Sequence, residues 1–202
     1  MCFTKNVSLA TFLIGVIGGL LCFSTGINDY KVIGLIFIFF SLMQGIEYLL
    51  WSHQECDEYN KMISTLGMVL NHLQPIVLFI LLYIYNKEQF IKFKNILIPI
   101  ILIYTIVIIL YSLEFKKECT MKNDSHLKWE WNFMKYKEVV YSIFLLCLIL
   151  SGLAFKKYGL QFSLVSFFSF LLSNLIYDKT NVVGSMWCFF SVFGPWLFYL
   201  IK

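Results

Sequence analysis

The sequence predicts an all-α fold: a polytopic membrane bundle of seven transmembrane helices, forming one domain over residues 1–202, with a small aromatic loop or hairpin outside the bilayer. Three observations predict it. The chain is 59% hydrophobic and only 14% charged, with a mean hydropathy of +0.76. A soluble domain carries about a quarter charged residues and must turn a large share of its surface to water. Apolar stretches near the ~20 residues that span a bilayer recur along the whole chain. Short polar breaks separate them, so no soluble domain fits between.

The apolar stretches are residues 7–25, 32–51, 62–85, 96–113, 139–155, 160–177 and 182–201. The breaks are Asn28-Asp29, residues 52–61, 86–95 and 114–138, Lys156-Lys157 and residues 178–181. Residues 114–138 form the longest extramembrane loop. The first stretch is read as a retained span: its apolar core exceeds the roughly 7–15 residues of a signal peptide, and no small-x-small cleavage site follows. Bulky Leu21 before Cys22 argues against a lipoprotein signal.

In the long loop, Leu127, Trp129, Trp131 and Phe133 alternate with Lys128, Glu130 and Asn132. Period-two alternation reads as a strand with one apolar face. A turn over residues 122–125 would make it a hairpin with its tryptophans resting on the lipid headgroups; the alternative is an unstructured aromatic belt at the same depth.

All 16 basic residues are lysines, which removes the arginine forks that read bases and phosphates best and leaves nucleic acid an unexpected partner. With seven spans, nine lysines fall on the side of the N-terminus and seven on the other, so the positive-inside rule does not set the orientation. Two Asn-x-Ser sequons, at Asn6 and Asn123, lie on the N-terminal side, as do Cys56 and Cys119 in polar loops. Glycosylation and disulfides belong to the exoplasmic side. The expectation is an exoplasmic N-terminus and a cytoplasmic C-terminus, with Cys56 and Cys119 either bridged or left as free thiols.

Polar side chains inside spans are costly and mark sites. Gln44, Glu47 and Trp51 share one face of the second span at i, i+3, i+7. Glu47 is the acid well inside a span, a candidate proton or cation carrier or a carboxyl bonded to a neighbouring helix. Asn71, His72 and Gln74 cluster before Pro75 in the third span. Proline removes a backbone donor and frees the carbonyl four residues earlier, and loosened helices beside polar side chains build midplane transport sites. The plainer reading is a kinked helix whose amides bind other helices. Asn174 in the sixth span and Trp187 in the seventh would complete an outward vestibule, and Gly184-Ser185 would let helices approach closely.

Phe39-Phe40-Ser41 matches Phe167-Phe168-Ser169, and Pro75 matches Pro195, which suggests a three-plus-one-plus-three repeat with a second helix kink at Pro195. The last span holds no lysine for a retinal-type Schiff base. His53, His72 and His126 are too scattered for a zinc site, so no metal or cofactor is expected. No P-loop, GxSxG or HExxH motif occurs, and an enzyme is the weaker class.

Met43-Gln44, Glu47-Tyr48, Trp51, Asn60, Leu73-Gln74-Pro75 and Gly184-Ser185-Met186-Trp187-Cys188 together resemble a family of multi-span membrane proteins encoded by large DNA viruses. The likeness covers most of the chain through short motifs. The family carries no assigned activity, so the resemblance implies a shared design and no catalytic residues. The functional expectation is a small-solute or ion transporter or channel with a polar site between helices. The alternative is a receptor-like or scaffold protein that binds a ligand or partner through its outer face.

Overall fold

The computed structural model describes residues 4–123, 126–177 and 183–201. Among the described residues the chain is all-α apart from one hairpin. Its helices are α1 (Lys5–Ser24), α2 (Asn28–Ser52), α3 (Glu58–Tyr85), α4 (Lys87–Lys92), α5 (Lys94–Leu113), α6 (Lys137–Ser151), α7 (Gly159–Tyr177), α8 (Val183–Ser191) and α9 (Gly194–Leu200). A 3-10 turn, Gly152–Ala154, extends α6. Six of the helical segments are long and apolar enough to cross a membrane, which is the build of a multi-pass membrane protein.

Large apolar side chains such as Ile17, Leu20, Ile106 and Leu110 are more than half exposed. In lipid that exposure carries no penalty, whereas in water it would. The core lies around α2, which buries Ile33, Ile36, Phe37, Phe40 and Leu50. Helix α1 packs on it through glycine: a Cβ at Gly34 would collide with the Gly19 carbonyl, so the two backbones approach as small residues allow in membranes.

The apolar stretch 182–201 is not one helix. It breaks between Ser191 and Gly194, and Pro195 sits in the first turn of α9. Proline lacks the N–H that would continue the ladder, but is well placed at a helix start. Pro75, in contrast, lies inside the continuous α3. The two prolines therefore hold different places, and Pro195 opens a helix instead of kinking one. Together α8 and α9 run along α2, from Trp187 against Phe40 (ring centroids 5.2 Å apart) to the Phe198 carbonyl, which accepts from the Tyr30 hydroxyl at 3.0 Å.

The long loop forms an antiparallel hairpin, β1 (Met121–Asn123) and β2 (His126–Lys128), with Lys122 opposite Leu127. The strand stops there, and Glu130–Phe133 is a 3-10 turn. The tryptophans do not rest on headgroups: Trp129 and Trp131 are 1% and 2% exposed, packed inward with centroids 4.2 Å apart. Gly67 of α3 makes room for them, since a Cβ there would lie 2.8 Å from the Trp129 ring.

Candidate functional site

Helix α3 carries polar or small residues on one face at Asn60, Ser64, Gly67, Asn71 and Gln74, a three-to-four-residue spacing that lines up one side of a helix. At 1.5 Å per residue the stripe runs about 21 Å, from one end of the bundle to its middle. Every one of its polar side chains is buried. Pro75 loosens the turn at its lower end, where the carbonyl of His72 accepts a hydrogen bond from the Tyr104 hydroxyl at 2.8 Å.

At the upper end, Asn60 ties three segments together. Its Nδ2 donates to the carbonyls of His53 and Thr120, both at 3.2 Å, and its Oδ1 accepts from the Thr120 backbone N–H at 3.0 Å. The disulfide Cys56–Cys119 joins the same two segments, and Lys122 donates its backbone N–H to Gln54 at 2.7 Å. This disulfide end also holds the start of α1, since the Lys5 ammonium lies 5.1 Å from the Tyr48 ring.

Below it the buried polar groups divide into two sets. One lies among α1, α2, α3 and α8. Gln44 and Glu47 are fully buried on α2, and the Thr11 hydroxyl of α1 donates to Gln44 Oε1 at 2.9 Å. The Cys188 thiol of α8 contacts the Gln74 side chain and lies within electrostatic reach of Glu47. Beyond that weak sulfur contact, neither amide atom of Gln74 has a hydrogen-bond partner. Trp51 is half-buried on the Glu47 face of α2, and its buried indole N–H has no acceptor.

The second set faces α5 and α6. Asn71 donates to the Tyr141 hydroxyl at 3.4 Å, and Trp131 also bonds that hydroxyl. His72 is 3% exposed and meets the Tyr111 ring edge-on, with centroids 5.6 Å apart. Neither of its ring nitrogens has a partner. Tyr111 donates to the Trp131 carbonyl, so the inward-packed tryptophan holds this set from above. Tyr141 also lies within electrostatic reach of Cys188, which links the two sets.

Gln44, Glu47, Trp51, Asn71, His72 and Gln74 thus all reach the interior of the bundle. Asn174 does not join them: it is on the exposed face of α7. Trp187 is buried but turned elsewhere, donating to Ser169 at 3.0 Å and packing on Phe40 and Phe144. Sequence reasoning missed Thr11, Asn60, Tyr111, Tyr141 and Cys188 as members. The three-to-four spacing of Asn60 and Ser64 with Asn71 was the available signal for the upper half of the stripe.

For a metal, the group among the described residues that brings three ligand atoms together is His53, Glu55 and Asp57, within 4.8 Å of one another. It lies on the surface, and His53 and Asp57 already bond each other at 2.9 Å. The interior sets offer amides, an imidazole, phenols, one carboxylate, the Thr11 hydroxyl and the Cys188 thiol, which can solvate a polar solute or ion and relay a proton. No family model matches the chain, and no curated protein and no solved structure matches it, so the likeness to viral membrane proteins assigns no family.

Proposed function

We propose that this protein moves a small polar solute or ion across the bilayer, along the buried polar face that α3 shares with α2, α6 and α8. One observation carries the reading. At the middle of α3, neither ring nitrogen of His72 has a hydrogen-bond partner in the protein and the Gln74 amide has only its sulfur contact with Cys188, while the buried indole N–H of Trp51 has no acceptor one turn from the fully buried carboxyl of Glu47. Each such atom costs about 1–3 kcal/mol when left unpaired. A bundle built only for packing has apolar residues available at no such cost; a path must keep groups that pair transiently with what passes.

In this reading Glu47 carries the charge, Gln44, Asn71, His72 and Gln74 line the path, and Pro75 loosens the helix beside it. Trp129 and Trp131 close it at the disulfide end. The helix pair α8–α9 serves as a seventh, broken crossing, which suits discontinuous helices at membrane sites. The disulfide favours an exoplasmic position for its end, and seven crossings then put the C-terminus in the cytoplasm. A receptor or scaffold acting through the aromatic segment has less support, because both tryptophans are committed to the interior.

Flux of protons, alkali cations, anions and sugars into proteoliposomes tests the proposal. Wild type should conduct or accumulate at least one of them, and Glu47→Gln should cut that flux at least roughly tenfold while the bundle stays folded. Flux at the level of empty liposomes for wild type and variant alike overturns it.

A further inference from the structure

The end opposite the disulfide has a chemistry of its own, which the transport reading does not use. Asp29, in the first turn of α2, is 3% exposed. Its carboxylate accepts the backbone N–H of Lys156 at 3.1 Å, of Lys157 at 2.7 Å and of Tyr158 at 3.1 Å, and the Asn86 amide at 2.7 Å. One buried carboxylate therefore fixes the α6–α7 connection and the end of α3 against α2.

Beside it opens a cavity of about 740 Å3. Lys87, Lys156 and Lys157 line it, together with Tyr85, Tyr158 and Gln89. The three lysines are exposed, and Lys31 stands behind Tyr85, 5.8 Å from its ring. The lining acids are Asp29 and Glu88. Three lysines against these two carboxylates leave the cavity an excess of positive charge. Lys92 and Lys94 add to it at the same end. The mouth lies where α2, α3 and α7 end, which is the level of the lipid headgroups for helices that cross the bilayer.

We propose that this cavity binds a phosphate-bearing anion, the headgroup of an anionic phospholipid, with Lys156 and Lys157 presented as a pair because Asp29 holds their backbone. The tyrosines give the glycerol and acyl root an amphipathic wall, as aromatic side chains do at membrane interfaces. Lysines whose backbone is already held lose less freedom on binding than those on a loose segment, so the site selects anionic lipid beyond general surface attraction.

The full chain, purified in an uncharged detergent, is titrated with phosphatidylglycerol or phosphatidylcholine and the bound lipid is read by native mass spectrometry. Phosphatidylglycerol should bind at least roughly tenfold more tightly than phosphatidylcholine. Lys156→Gln with Lys157→Gln should weaken it about ten- to thirty-fold, at about 1 kcal/mol per lysine. Lys87→Gln, on an exposed side chain outside the Asp29 network, should weaken it less and tests the site if the double variant fails to fold. Lys116→Gln with Lys117→Gln, at the disulfide end, should change nothing. Displacement by millimolar inorganic phosphate would place the recognition on phosphate from either source; phosphatidylglycerol retained against it would assign the lipid. Equal binding of the two lipids, or lysine variants that bind as wild type does, overturns the proposal.

Discussion

At the disulfide end, a covalent bridge, the Asn60 network and two packed tryptophans cover the helices. At the opposite end a single carboxylate, Asp29, gathers three backbone N–H groups and an amide, and a lysine-lined cavity stays open beside it. The loops explain the contrast. Residues 114–136 make a long connection between α5 and α6, and long connections are entropically loose unless something closes them. The connection between α6 and α7 is only a few residues, so one acceptor suffices to order it. The covered end is thus built by constraint of a long loop, and the open end by hydrogen bonding of a short one.

Removing the constraint should have the largest effect. Cys56 and Cys119 are 63 residues apart in sequence, and a loop of that size stabilises by about 4 kcal/mol in the chain-entropy account. Cys56→Ser with Cys119→Ser should lower the unfolding midpoint in detergent, and reducing agent should lower wild type to the same value. An unchanged midpoint would mean that the Asn60 network and tryptophan packing hold the loop by themselves, and the contrast between the ends would fall.

Asp29→Ala should come next, at about 3 kcal/mol, because it strips the acceptor from several donors at once, part of which water can replace at this edge. Asp29→Asn keeps one acceptor oxygen and should cost less. The contrast sharpens if proteolysis between α6 and α7 rises in Asp29→Ala while the hairpin at the other end stays protected.

Much of this frame was legible in the sequence, because hydropathy alone sets where a chain can sit in lipid. Gln44 and Glu47 were legible as a buried face from their spacing, as was the polar run before Pro75. Four features were not. Asp29 reads as punctuation between two apolar stretches, since three of its partners are backbone amides more than 120 residues away and the fourth is the Asn86 side chain, 57 residues away. Trp129 and Trp131 alternate as a surface strand would, but α3 offers a cleft at Gly67 that only the tertiary structure brings beneath them. Asn174 has the composition of a site residue but lies exposed, in phase with the exposed Phe167 two turns before it. The two prolines matched as a motif, yet α3 continues through Pro75 while Ser191–Gly194 breaks before Pro195, because a proline's consequence depends on the packing on either side.

The smallest expected effect lies at the surface of the covered end. Asp57 caps α3, accepting the backbone N–H of Asn60 at 2.9 Å, and meets the His53 ring at the same distance. The Asn60 N–H first, and His53 after it, hold the Asp57 carboxyl below its ordinary value of 3.8. A carboxyl lowered on folding stabilises the protein fully above its unfolded value and loses that contribution as pH falls through the folded one. Asp57→Asn keeps a capping oxygen but cannot ionise. Wild type should therefore unfold at a slightly higher temperature than Asp57→Asn at pH 7, and the gap should close as pH is lowered from about 4 through the folded value. A gap that persists at pH 2 would show that the difference comes from cap geometry and not from charge. In that case this end rests on its bridge and its packing, with no electrostatic share.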